Sequence, residues 1–420
     1  MNRRVWLSRL LNSIACPATL NAVSAWMRLD RANAQSSPAD AATKPLLTFG
    51  EKPVTVVCLG DSVTGVYYHT GGVRAYPEML EVAIKKVDPQ ANVSVINAGI
   101  SGNTTQNGLD RLDRDVLAKK PDLVTVTFGL NDMTRFSEEQ FRKNLETIVA
   151  RCREAKSQVL LCTPNAVINT SGRPTEKLIR YCDIIRTTAR ELNVPVCDQY
   201  QAADQLRTRD AWAWRLTMSD EIHPNMDGHK LMAQELCRAI TAKEVSLAGA
   251  VPPVPALSKT VSLLKQSKPV RVLAMPPFDT LIGPALEQLH PSAAVEVTVW
   301  PTEGKSLAEL ENAAKEKVRA MKPDLVVLAV PRTAAADSDE QFVRSYLWIM
   351  NSSLSFGYQE WDCFVVHPAA TTPGPASARD HLVRQLAKAQ DLHLLDRAAA
   401  DDATIEALLL GWLSRMTKAE

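Results

Sequence analysis

The sequence predicts a parallel three-layer α/β/α sandwich followed by a smaller duplicated α/β domain. Three observations carry that expectation. Short runs rich in β-branched residues alternate with longer segments of helical periodicity between Val54 and Ile240. Several of the runs end in polar, glycine-bearing turns. A set of short motifs then recurs, in the same order, in the C-terminal part of the chain.

At 420 residues the chain has room for two or three domains of ~150 residues each. It is 45% apolar and 23% charged, as globular proteins are. A formal net charge of +1, with no basic stripe interleaved with aromatics, argues against a nucleic-acid partner. No uninterrupted apolar run reaches the length of a membrane-crossing helix.

Residues 1–34 read as an export segment. Arg3-Arg4 precedes a moderately apolar stretch from Leu10 to Met27, and Ala32-Asn33-Ala34 has the small-x-small form of a cleavage site. The pattern resembles a twin-arginine signal and implies a periplasmic or secreted protein. Residues 35–51 form a spacer, beginning with a Ser/Pro/Ala-rich run. The eight cysteines form no Cys-x-x-Cys pair and no zinc-spaced cluster with histidine. Cys58, Cys162, Cys197 and Cys363 fall in predicted strands, Cys152, Cys182 and Cys237 in predicted helices, and Cys16 in the export segment; they read as small buried hydrophobes.

The first strand is Val54 to Leu59, apolar except for Thr55 and therefore covered on both faces. It runs into Gly60-Asp61-Ser62, where glycine permits a sharp turn. A loop from Gly65 to Ala75 carries Tyr67, Tyr68, His69 and Arg74, candidates for touching a substrate. A helix from Tyr76 to Val87 leads to a second strand at Val93–Ile96, then to the turn Asn97–Thr104, which opens a helix through about Ala118. The third strand, Asp122–Phe128, ends in Gly129-Leu130-Asn131-Asp132. A helix from Glu138 to Glu154, a strand at Gln158–Thr163, a helix from Pro174 to Leu192 and a short strand at Val194–Cys197 follow. After a further helix comes the loop Ser219–Asn225, and a helix from Asp227 to Ile240 closes the unit, taken as residues 52–245.

Residues 246–267, with Pro252, Pro253 and Pro255, read as a linker. Beyond it, Lys52-Pro53-Val54 recurs as Lys268-Pro269-Val270, Lys120-Pro121-Asp122-Leu123-Val124 as Lys322-Pro323-Asp324-Leu325-Val326, and Glu139-Gln140-Phe141 as Glu340-Gln341-Phe342. Residues 268–420 are therefore a duplicated α/β domain. Opposite Gly60-Asp61-Ser62 stand Pro276-Pro277-Phe278, so the copy lacks the groups for serine chemistry.

A serine hydroxyl becomes a competent nucleophile when a histidine takes its proton and a carboxylate fixes the imidazole tautomer. Asp220-x-x-His223, in a predicted loop ahead of Pro224, has a spacing that lets a turn bring the carboxylate onto Nδ1 and leaves Nε2 for Ser62. His69 and His229 are the rival bases; the latter lies inside a helix with no carboxylate three residues before it. Donors for a developing oxyanion are available at three strand ends: the N–H groups of Ser62 and Gly102, and the amide of Asn131. In an open parallel sheet those ends share one crevice.

Gly60-Asp61-Ser62, Gly102 within Ile100-Ser101-Gly102-Asn103-Thr104, Gly129-x-Asn131-Asp132 and Asp220-x-x-His223-Pro224 resemble the four blocks of the SGNH hydrolases, also called the GDSL esterase/lipase family. The resemblance spans about residues 53–241. It implies a flavodoxin-like sandwich with Ser62 as nucleophile, His223 as base and Asp220 as its partner. It also implies an oxyanion hole of Ser62, Gly102 and Asn131, with no metal or cofactor. Asp61 and Asp132 hold turns. Substrates of such families range from acetylated sugars to lysophospholipids and thioesters. The ordering expected here is carbohydrate acetyl ester first, then a lipid-type ester, because no long apolar helix suggests a lid. Acyl transfer to a hydroxyl is open to the same triad. A non-catalytic glycan-binding module is the reading of a different class.

Overall fold

A computed structural model describes residues 44–372, 374–398 and 401–418. Residues 1–34, expected from the sequence to direct export, lie outside the described residues, as do most of the spacer and Cys16. Residues from Lys44 onward form one compact unit with two hydrophobic cores, one drawn from Leu47 to Leu247 and the other from Ala256 to Leu413. Each core surrounds its own five-stranded sheet.

The first sheet contains β1 (Val54–Gly60), β2 (Val93–Gly99), β3 (Leu123–Thr127), β4 (Gln158–Cys162) and β5 (Val196–Cys197), all parallel in the order β2-β1-β3-β4-β5. Helices Tyr76–Val87 and Met226–Thr241 pack together on one side, while Thr105–Asp110, Glu138–Glu154 and Thr175–Glu191 form the other layer. The second sheet contains β6 (Val270–Ala274), β7 (Val295–Val299), β8 (Leu325–Leu328), β9 (Asp362–Val366) and β10 (His393–Leu395). Its order, β10-β9-β8-β6-β7, is the same topology when counted from its own first strand. Helices Leu307–Met321, Asp339–Ser353 and Ala378–Ala389 make one layer there, and Phe278–Leu289 and Ile405–Lys418 the other.

The recurring motifs build the same local structures in both lobes. The Asp122 carboxylate accepts the Thr55 N–H at 2.8 Å, and Asp324 accepts that of Arg271 at 2.9 Å. Each aspartate thus ties the start of its third strand to the first. Lys120 and Lys322, the first residues of the Lys-Pro-Asp repeats, both take the left-handed conformation. The Glu-Gln-Phe repeats each follow a capping serine: Ser137 Oγ accepts Gln140 N–H at 3.2 Å and Ser338 Oγ accepts Gln341 N–H at 3.1 Å. Phe141 and Phe342 then enter the two cores.

Three expectations differ from the structure. The helix expected through Ala118 is broken into Thr105–Asp110, Leu112–Asp115 and a 3₁₀ turn at Leu117–Lys119. Arg111, at the break, donates from Nη2 to the Gly60 carbonyl at 2.9 Å and from Nε to Asn103 Oδ1 at 2.9 Å. The linker contains a helix, Ser258–Lys265, whose Leu264 is buried in the second core. The end of the spacer belongs to the first lobe: Leu46 N–H donates to the Ile240 carbonyl at 2.8 Å, and Leu47 is buried. The seven described cysteines are free thiols, in the strands and helices anticipated for them.

Candidate active site

Ser62 sits two residues beyond the strand end in a turn whose geometry depends on Gly60. A Cβ there would stand 2.0 Å from Thr64 Oγ1 and 2.8 Å from the Thr127 carbonyl. Asp61 braces the turn, accepting the Val63 N–H at 3.0 Å on its side chain and the Gly65 N–H at 3.0 Å on its carbonyl. Burial pushes the Asp61 carboxyl up to about 6.

Ser62 Oγ lies 2.8 Å from His223 Nε2, and His223 Nδ1 lies 2.8 Å from Asp220 Oδ2. The short loop between them folds back on the carboxylate, so that Asp220 Oδ1 accepts the N–H groups of Ile222 and His223, both at 2.7 Å. Tyr68 adds a fourth donor, its hydroxyl reaching Asp220 Oδ2 at 2.8 Å. Burial alone raises the Asp220 pKa. The adjacent imidazole and these donors outweigh it and hold the carboxyl well below the usual range. An ionised carboxylate on Nδ1 fixes the tautomer that leaves Nε2 as a proton acceptor.

The neighbouring strand ends supply hydrogen-bond donors. Gly102 adopts φ +74°, a backbone region that favours glycine. Among the described residues neither the Ser62 N–H nor the Gly102 N–H has a hydrogen-bond acceptor. Asn131 Nδ2 donates to the Asn103 carbonyl at 3.0 Å and more weakly to Asp61 Oδ2 at 3.4 Å, while its Oδ1 accepts from Arg173 Nη2 at 3.3 Å. The guanidinium thereby fixes which way the amide faces. Asp132 Oδ1 accepts the Thr105 N–H at 2.9 Å and the Thr105 hydroxyl at 2.5 Å, joining the second and third strand-end loops. Burial raises its carboxyl. A cavity of about 210 Å³ opens over Ser62, with Gly102, Asn131, His223, Tyr67 and Tyr68 in its lining.

The residues singled out in the first loop separate. Tyr67 and Tyr68 line this cavity. His69 also borders it but is fully buried, its ring stacked under His223 with centroids 4.4 Å apart and planes 9° from parallel. Its Nε2 is 3.0 Å from the Ser62 carbonyl and its Nδ1 3.4 Å from His229 Nε2. Because the Tyr76 backbone N–H donates to His229 Nδ1 at 3.2 Å, the tautomers follow along the row. His229 Nε2–H faces His69, and His69 Nε2–H faces Ser62. Burial pushes the His69 pKa well down and that of His229 to about 3, so both rings are neutral. Arg74 is not part of the cavity lining; it is buried against Asp391 of the second lobe at 3.2 Å.

Sequence reasoning did not single out Arg173, or any group from the second lobe. Phe356 lines the cavity, and Trp348 stacks on Tyr68 with centroids 6.1 Å apart. No short motif surrounds these residues, and only the packing of the lobes brings them to Ser62. Among the described residues no group of His, Cys, Asp or Glu side chains has a metal-holding arrangement, and no helix is long and apolar enough to cross a membrane.

Residues 58–231 match the family described as GDSL-like Lipase/Acylhydrolase. The chain is 28% identical over 172 residues to an acetylxylan esterase of Geobacillus stearothermophilus, covering 37% of this chain and 76% of that protein. It is 29% identical over 197 residues to thioesterase 1/protease 1/lysophospholipase L1 of Escherichia coli (strain K12), covering 46% and 88%. A crystal structure of the lipase/acylhydrolase from Enterococcus faecalis is 30% identical and covers 46% of this chain and 97% of that one, with a TM-score of 0.38. The chain is a carboxylic-ester hydrolase. Its residues 58–231 are a domain of the GDSL-like lipase/acylhydrolase family, and that match ends before the second sheet begins.

Proposed function

We propose that Ser62, His223 and Asp220 act as a Ser-His-Asp triad that cleaves short-chain esters, with an acetylated carbohydrate as the substrate class. The observation that carries this reading is the unbroken relay from Ser62 Oγ through His223 to Asp220, each link 2.8 Å long, at the floor of a cavity. Ser62 Oγ attacks the ester carbonyl carbon as His223 Nε2 takes its proton, and Asp220 balances the imidazolium that forms. The carbonyl oxygen, now anionic, turns to the N–H groups of Ser62 and Gly102 and to Asn131 Nδ2, which gives up its long bond to Asp61. His223 returns the proton to the leaving alcohol. Water, deprotonated by the same ring, then releases the acid.

The cavity's size favours a small acyl group. At about 210 Å³ it falls below the ~300–1,000 Å³ that drug-sized ligands occupy. The resemblance to an acetylxylan esterase points the same way. The resemblance to a thioesterase and lysophospholipase favours the rival, a lipid-type ester. Hydrolysis of p-nitrophenyl acetate and octanoate by residues 35–420, beside Ser62→Ala, separates the two. Activity confined to the unmutated protein and higher on acetate supports the proposal; higher activity on octanoate replaces it with the rival. A folded protein whose slow hydrolysis survives Ser62→Ala leaves the site as a binding module.

We also propose that residues 268–420 arose by duplication of the hydrolase domain and lost its chemistry. The shared strand order and the paired Asp122 and Asp324 ties support this. Export directed by residues 1–34 places the reaction outside the cytosol. Full-length protein retaining Met1 in a cytosolic fraction would overturn that placement.

A further inference from the structure

The second lobe lacks a triad, yet it reaches the first lobe's serine through one side chain. Phe356, in the loop between helix Asp339–Ser353 and β9, lines the cavity over Ser62 with 49% of its surface exposed. A single exposed phenylalanine is unremarkable on a protein surface. This one is held in place from several sides. Its ring stacks on Tyr68 (centroids 6.2 Å, planes 23° apart) and tilts against Tyr67 at 5.9 Å. The Arg319 guanidinium stands 5.2 Å from its centroid and equally 5.2 Å from that of Trp361.

The loop itself is braced. The N–H groups of Phe356 and Gly357 both donate to Glu360 Oε2 at 3.0 Å, and the Glu360 N–H donates to Ser355 Oγ at 2.6 Å. It is also pressed onto the first lobe. Gln359 N–H donates to the Gly72 carbonyl at 3.3 Å, and a Cβ on Gly72 would lie 2.1 Å from the Gly357 carbonyl. A ring so fixed loses little freedom when a ligand packs on it.

The side of the site on which Phe356 stands follows from the proton's route. The leaving oxygen must receive its proton from His223 Nε2, so the alcohol lies on the histidine side of Ser62. Tyr68 meets His223 edge-on at 5.9 Å and donates to Asp220, and Phe356 lies on Tyr68. We propose that Phe356 is a specificity-determining residue contributed by the second lobe, packing the exposed part of its ring against the ring of the leaving alcohol, a pyranose in the proposed ester. This rests on the ester-hydrolase reading above and adds to it which part of the substrate the second lobe recognises.

The test uses the full chain and three acetates followed by pH-stat: ethyl acetate, phenyl acetate and methyl 2,3,4-tri-O-acetyl-β-xylopyranoside. In Phe356→Ala the preference in kcat/KM for the two ring acetates over ethyl acetate falls about tenfold, mostly through KM, and Phe356→Trp keeps it. A preference unchanged in Phe356→Ala, whether all three rates fall together or none moves, overturns the assignment. An unmutated enzyme that cleaves phenyl acetate but not the acetylated xyloside removes the pyranose, while the phenyl-to-ethyl ratio still decides on Phe356. Failure on all three acetates removes the short-chain ester reading proposed above, and this assignment with it.

Discussion

Asn351 and Ser219 hold each other across the boundary between the lobes. Asn351 Nδ2 donates to the Ser219 carbonyl at 3.0 Å, and the Ser219 hydroxyl donates to Asn351 Oδ1 at 2.8 Å. Both residues are fully buried. Gln390 joins them, donating from Nε2 to the His69 carbonyl at 3.1 Å and to Ser219 Oγ at 3.3 Å. Second-lobe side chains thus tie down the two loops that carry His69 and Asp220.

Asn351→Ala tests that tie. It strands the buried Ser219 carbonyl and takes away the acceptor of the Ser219 hydroxyl, a loss on the order of 1–3 kcal/mol in urea unfolding. Because Asp220 is the next residue, kcat on p-nitrophenyl acetate falls several-fold. Stability and kcat both equal to those of the unmutated chain would mean the knot does not position the catalytic loop.

Asp220→Asn separates charge from shape. The new side chain still offers one oxygen to the Ile222 and His223 N–H groups, so the loop keeps its form. Its amide cannot hold Nδ1 in the protonated tautomer, and kcat falls by about 10⁴ with an unchanged circular dichroism spectrum. A loss of only a few-fold would remove Asp220 from the triad.

Tyr68→Phe removes one donor from that carboxylate and keeps the ring that Phe356 stacks on. Hydrogen bonds to charged groups are among the stronger ones, so kcat drops by about tenfold. The preference between ring and alkyl acetates, which depends on the ring face, stays. If that preference is lost as well, the hydroxyl is doing more than orienting Asp220.

What could be read from the sequence was whatever chemistry confines to a few neighbouring residues. Asp220-x-x-His223 was legible because one turn delivers both partners. Lys-Pro-Asp was legible twice over because Asp122 and Asp324 each serve a strand N–H directly across the sheet. Phe356, Asn351 and Gln390 were not, since each meets its partner only once two lobes have folded and docked, and nothing in the residues beside them anticipates that meeting. Arg74 read as a polar loop residue near the serine. Its charge is instead taken up by Asp391, which lies more than 300 positions further along and also pairs with Lys230. Helix Ser258–Lys265 was hidden by the prolines just before it, which marked the whole stretch as irregular.

The row of imidazoles behind the site gives the protein an acid sensitivity separable from catalysis. In the unfolded chain His69 and His229 bind protons near pH ~6.5. In the folded protein burial delays this, for His229 to about 3 and for His69 to well below its ordinary value. Between those limits the unfolded state holds more protons than the folded one. Stability is therefore full above pH ~6.5 and declines steadily as the pH falls toward the folded values. Asp61 works in the opposite direction. Its folded carboxyl takes up a proton near 6, before the unfolded one does. Asp220 contributes only at more acid pH, since its folded value lies below the ordinary range. His229→Gln isolates one term: its side-chain oxygen can still accept the Tyr76 N–H and its amide can still donate to His69, but it does not titrate. Thermal unfolding followed from pH 7 to pH 5 loses fewer degrees in His229→Gln than in the unmutated chain, while His69 keeps its own contribution. Equal slopes would mean that His229 already carries its proton in the folded protein, and the tautomer order from Tyr76 to Ser62 would have to be redrawn.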